Sequence, residues 1–166
     1  MKRINMKKTL LIPLMALWSL SFAHAELWMP SIFSDHMVLQ REQKNPVWGM
    51  AEPGQTMTVS IAEQSHTAEA DDEGNWRVEL TDLPAGGPHE LSVRAGETRV
   101  FQDVLVGEVW FCSGQSNMAW PVRRSNEAAI EIVSANHPEI RFLKVPRVGT
   151  QAPQRDFAGE WAVCSP

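Results

Sequence analysis

The chain has 166 residues, 43% of them hydrophobic, with 15 Lys or Arg, 20 Asp or Glu and a formal charge of −5. That is enough chain for one ordinary domain with a real core but little for two. The four basic residues of the first 25 have no acidic counterpart, so the remainder carries 11 basic against 20 acidic residues, a balance that argues against nucleic acid or anionic membrane as a partner.

Met1 to Ala25 reads as a secretory signal peptide. Lys2, Arg3, Lys7 and Lys8 form a basic head, Thr9 to Phe22 an apolar run, and Ala23-His24-Ala25 a small-x-small cleavage pattern. The run is shorter than the ~20 residues of a membrane span, and no Cys near the cut offers a lipid anchor. The expectation is a chain cleaved after Ala25 and secreted, or periplasmic in a bacterium.

From Leu27 to Val106 the signals are β. Val47 to Met50 is a short apolar stretch followed by the turn Glu52-Pro53-Gly54. Thr56 to Ile61 places Met57, Val59 and Ile61 on one face. After the turn cluster Asp71 to Asn75, Trp76, Val78 and Leu80 alternate inward. Pro84 to Pro88 reads as a third turn, Leu91-Ser92-Val93 as a strand, Ala95-Gly96-Glu97 as a tight link and Val100 to Val106 as the returning strand. Short strands punctuated by turns predict an antiparallel β-sandwich.

Trp28, Trp48 and Trp76 could line a sugar platform, but large core residues on alternating strands are the commoner reading. His36, His66 and His89 follow no metal-ligand spacing and read as ordinary polar positions. Asp71, Asp72 and Glu73 lack a full calcium-loop pattern and read as a solvated turn.

Val104 to Phe111, interrupted once by Gly107 and Glu108, reads as a buried strand. It leads into Cys112-Ser113-Gly114-Gln115-Ser116-Asn117-Met118. A hydroxyl where a strand gives way to a turn, with backbone N–H groups beside it, suits an acyl-transfer nucleophile. Taken alone, the same residues are as much at home in an ordinary polar turn. They do not form the G-x-S-x-G elbow of α/β-hydrolases. Beyond them, Ser125 or Asn126 is positioned to cap a helix starting near Glu127, with Ala129, Ile130, Ile132 and Val133 as its apolar stripe. Asn136-His137-Pro138 should end it, Ile140 to Val145 should form a strand, and Arg147 to Gly159 a loop. Strand, helix, strand begins an α/β unit. Arg123, Arg124 and Arg141 either solvate a surface or orient an anionic sugar.

The block Gly107-Glu108-Val109-Trp110-Phe111-Cys112-Ser113-Gly114-Gln115-Ser116-Asn117-Met118, with Trp120-Pro121 after it, resembles the nucleophile block of the sialate O-acetylesterase family, carbohydrate esterases of the SGNH-hydrolase type. The resemblance runs from about Leu27 to the end and includes Ile140-Arg141-Phe142 and Trp161 to Pro166. It implies a flavodoxin-like SGNH domain begun at residue 104 and left incomplete at 166, after a β-sandwich over 26–103. It implies Ser116 as catalytic nucleophile, with its own N–H in the oxyanion hole, and Gly114, Gln115 and Asn117 as supporting positions. The usual SGNH block has Asp where Gln115 stands. It further implies an O-acetylated carbohydrate substrate, sialate or polysaccharide, and neither metal nor organic cofactor.

A serine hydroxyl needs a base, and the family's late Asp-x-x-His has no counterpart here. His137, the only His after Ser116, reads as a helix-terminal residue. These residues are therefore expected to be the N-terminal part of a longer esterase and inactive alone. The alternatives are a non-catalytic carbohydrate-binding sandwich and an interaction module whose exposed half-sheet seeks a partner. Cys112 and Cys164, the only cysteines, admit a disulfide in an exported chain about as readily as two free thiols.

Overall fold

A computed structural model describes residues 26–166; the signal-peptide reading falls on residues outside these. The described residues are mainly β. Their strands are β1 (Val38–Gln40), β2 (Asn45–Met50), β3 (Thr56–Ile61), β4 (Gln64–Glu69), β5 (Asn75–Leu80), β6 (Gly86–Ala95) and β7 (Glu97–Gly107), followed by a short α-helix, α1 (Ala128–Ser134), then β8 (His137–Leu143) and β9 (Trp161–Cys164). A five-stranded sheet has the order β1-β7-β6-β3-β4, while β2 pairs with β5 and β8 with β9.

Period-2 alternation explains the best-formed strands. Met57, Val59 and Ile61 of β3 and Trp76, Val78 and Leu80 of β5 are all buried, while the residues between them face outward or lie part-covered. Leu91 and Val93 of β6 and Val104 and Val106 of β7 join them, with Leu27, Met37 and Leu83, in a single apolar core that draws on both sheets. A fully buried aliphatic side chain contributes about 1.5–3 kcal/mol, so this cluster is where the chain's stability lies. Asp71 closes the β4–β5 turn: its Oδ1 accepts from the Asn75 N–H at 2.7 Å and the Glu73 N–H at 3.1 Å.

Several expectations need correction. The strand predicted to run from Val104 to Phe111 stops at Gly107. Its partner β1 is only three residues long and pairs Gln40 with Gly107 as the last rung, so nothing carries the ladder further. Trp110 and Phe111 are 81% and 90% exposed rather than buried. The β1–β7 pair is parallel, unlike the other pairs. The predicted turn at Pro84 to Pro88 is in part strand, because β6 starts at Gly86 and reaches Leu91 through irregular register. Neither Ser125 nor Asn126 caps α1; Glu127 occupies the position before it, in left-handed conformation and with no capping side-chain bond. The apolar stripe of α1 is exposed. Strand β8 begins at His137, earlier than expected, and pairs antiparallel with β9, not with β7.

Candidate functional site

The segment that carries Ser116 is launched from the end of β7 by a polar clamp. Buried Asn45 holds the β1–β2 turn. Its Nδ2 donates to the Gln40 carbonyl at 2.7 Å and the Gln43 carbonyl at 3.0 Å, and its Oδ1 accepts from the Gln40 N–H at 2.9 Å. Gln40 then reaches the segment itself: its Oε1 accepts from the Val109 N–H at 2.8 Å, and its Nε2 donates to Glu108 at 3.1 Å. Arg41 pairs with the other Glu108 oxygen at 2.6 Å. The Gln40 hydrogen bond, then Arg41, holds the Glu108 carboxyl below its ordinary range.

Past this clamp, 108–115 contains no strand or helix. Ser116 opens a 3-10 turn, Ser116–Ala119, which is closed by the Met118 N–H on the Gln115 carbonyl and the Trp120 N–H on the Asn117 carbonyl, both at 3.0 Å. Gly114 precedes it at φ 157°, and a Cβ there would lie 2.9 Å from Cγ of Met118, so the close packing of Met118 favours glycine. The Trp120 indole N–H donates to the Arg124 carbonyl at 3.1 Å and ties the turn to the next one, Val122–Arg124. Gly114, Gln115, Ser116 and Asn117 are all exposed. Among the described residues no group hydrogen-bonds the Ser116 hydroxyl. Its backbone position at the first residue of a helical turn leaves N–H groups without intrahelical acceptors. A shallow cleft of about 610 Å³, lined by Lys144, Pro146, Arg147 and Ala158, borders Ala119 at the end of the same turn.

Cys112 is exposed in the connecting segment, and Cys164 lies part-buried in β9; both are free thiols. His137 is exposed at the start of β8. Arg123 and Arg124 are exposed in the second 3-10 turn.

Arg141 behaves differently. Its side chain is 4% exposed, and Nη2 donates to Asp103 Oδ2 at 2.9 Å, while His36 Nδ1 meets the same oxygen at 2.7 Å. Its Nε and Nη1 lack partners among the described residues. His36 and Asp103 both adopt positive φ, 67° and 54°, conformations that cost free energy for residues with a Cβ. The cluster joins β8 to the large sheet. Asp156 adds a second fastening by accepting from the Ser31 N–H at 2.7 Å, and the Trp161 indole adds a third by donating to the Ile32 carbonyl at 2.8 Å. Sequence reasoning missed this cluster: His36 stands 67 residues from Asp103, and no local pattern links them.

The chain matches no protein-family model. It is 31% identical over 164 residues to the human sialate O-acetylesterase and 34% identical over 161 residues to that of Pongo abelii. These alignments cover 89% and 87% of this chain but only 31% and 30% of the relatives, so the chain spans about a third of their length. Among solved structures, a carbohydrate acetylesterase from Xanthomonas citri superposes with a TM-score of 0.82 at 37% identity, over 84% of this chain and 33% of that one.

Proposed function

Because this chain belongs to the sialate O-acetylesterase family, over the third of its relatives' length that it spans, we propose that it forms the nucleophile-bearing part of a carbohydrate O-acetylesterase. The observation that carries the reading is Ser116 itself. Its hydroxyl is exposed and unpartnered among the described residues, on a short turn closed by hydrogen bonds and rooted in the clamp at Glu108.

In this reading Ser116 Oγ attacks the acetyl carbonyl carbon, and its proton passes to a base supplied from outside these residues. The tetrahedral oxyanion is held by backbone N–H groups that include that of Ser116. Collapse breaks the bond to the sugar oxygen, which leaves with the proton, and water then releases acetate from the acetyl-enzyme. Gly114, Gln115 and Asn117 shape the turn. Residues 26–103 form the supporting β-sandwich, and residues 104–166 open an SGNH-type domain. The exposed apolar side chains of the latter region, among them Trp110, Phe111, Ile130 and Phe142, suit surfaces that the rest of such a domain covers. The substrate is an O-acetylated carbohydrate, reached in a secreted or periplasmic setting after cleavage behind Ala25.

The test compares the 166-residue chain with a longer protein that contains it, using p-nitrophenyl acetate. The longer protein should turn over, and Ser116→Ala should lower kcat/KM by about a thousandfold or more; the short chain should be inactive. Turnover by the short chain that vanishes in Ser116→Ala would show that it holds its own base. Undiminished turnover by the longer Ser116→Ala protein would remove the nucleophile assignment.

A further inference from the structure

Of the three tryptophans weighed as core residues, Trp76 is in the core, while Trp28 and Trp48 are part-exposed and border the same cleft. Trp28 and Trp48 line this shallow cleft of about 560 Å³ on the β2–β5 sheet, with Asn75, Gln154 and Arg155 contributing polar groups. Behind it, Gly49 is buried and closely hemmed in. A Cβ there would run into the Trp28 carbonyl oxygen and lie 3.0 Å from the Trp76 ring. Trp76 is buried, and its Nε1 donor is unmet among the described residues. Trp48 is braced by Phe33 in an edge-to-face contact, ring centroids 4.8 Å apart.

Arg155 distinguishes this cleft from a plain aromatic surface. It comes from the 147–159 loop, which Asp156 anchors to Ser31. Its Nη1 sits 3.4 Å from both Asn75 Oδ1 and Met50 Sδ. Among the described residues it makes no ion pair, whereas its neighbour Arg77 is paired with Glu79 at 3.1 Å. An unpaired guanidinium beside tryptophans, on a protein with excess negative charge, is a site for a planar anion attached to a ring with apolar faces.

We propose that this cleft binds a carboxylate-bearing sugar unit of a glycan chain. A pyranose C–H face would lie against the part-exposed indoles of Trp28 and Trp48, its carboxylate on Arg155 and its hydroxyls on Asn75 and Gln154. The site is separate from Ser116 and holds the polymer rather than reacting with it. The inference rests on the carbohydrate-directed reading above, but its test is independent of catalysis.

The experiment titrates the 166-residue chain with a galacturonic acid trisaccharide and, as the neutral arm, with xylotriose, following tryptophan fluorescence. The acidic sugar should give a saturable change and the neutral one much weaker binding. Arg155→Gln, at an exposed position, should weaken the acidic sugar about tenfold through loss of a charge-assisted bond. Trp28→Ala should abolish binding, and Ser116→Ala should bind as the parent does. Absence of a saturable change, equal affinity for both sugars, or an unaltered Arg155→Gln protein would each overturn the proposal. Loss of binding in Ser116→Ala would assign the sugar to the esterase site and overturn it as well. Turnover that depends on Ser116 in the longer protein, without binding here, would sink the cleft and leave the esterase reading intact.

Discussion

Removing the charge of Asp103 should harm the protein more than removing the charge it neutralises. In Asp103→Asn the backbone at φ 54° is tolerated, since Asn adopts left-handed conformations readily. The Arg141 guanidinium is then left 96% enclosed, as follows from its 4% exposure, without its counter-charge. Breaking a buried pair from one side costs about 3–5 kcal/mol. Asp103 is 32% exposed, so water relieves part of that, and about 2 kcal/mol is the working figure. At roughly 2–4 °C per kcal/mol for a domain of this size, the melting midpoint should fall by about 4–8 °C. Arg141→Met keeps the volume and removes the buried charge with its two unmet donors, so it should cost under about 1.5 kcal/mol. The Asp103→Asn/Arg141→Met double variant should melt above Asp103→Asn alone. Urea unfolding of the four proteins gives the cycle. If Arg141→Met is the more damaging single change, or the double variant loses the sum of both, the enclosed charge is not what makes Asp103 necessary.

Asn45→Ala removes three hydrogen bonds at a buried position and should cost about 2–3 kcal/mol in denaturant melts. Gly49→Ala forces a methyl group against the Trp28 carbonyl and the Trp76 ring; a loss of about 3 kcal/mol or more, with altered near-ultraviolet circular dichroism from the tryptophans, is expected. Acid should destabilise the fold through three carboxyls held low: Asp71 by the Asn75 N–H, Glu79 by Lys44 and Arg77, and Glu108 by Gln40 and Arg41. Because each folded value lies below its ordinary 3.8 or 4.5, their contribution is present above those values. It is lost as pH falls through the lower folded ones. Thermal melts should therefore be flat near neutrality and decline below about pH 4.5; melts unchanged down to pH 2 would contradict this.

What could be read from the sequence follows from where each signal resides. β3 and β5 were legible because their own residues alternate. β4, Gln64–Glu69, was not. It is polar apart from Ala68 and pairs only with β3 at the sheet edge, so its strand character comes from its neighbour. Strand β7 was legible but overextended, because Val109, Trp110 and Phe111 continue its apolar composition while β1 offers no further rung. The nucleophile block was legible as a motif. Its anchorage was not, since Gln40 and Glu108, 68 residues apart, are brought together only by the β1–β7 pairing.

The fastenings of the C-terminal third have a consequence for how the protein breathes. Ser31 and Ile32 receive Asp156 and Trp161, Ser34 Oγ accepts from the Trp161 N–H at 3.3 Å, and His36 shares the carboxylate that holds Arg141. A strip of six residues, 31 to 36, thus latches both flanks of the β8–β9 hairpin, whereas α1 has no buried residue of its own. Amides of α1 should exchange with solvent through local opening, while those of β9 should be released only when the strip lets go. A change in this distant strip would then alter the motion of the hairpin without touching Ser116.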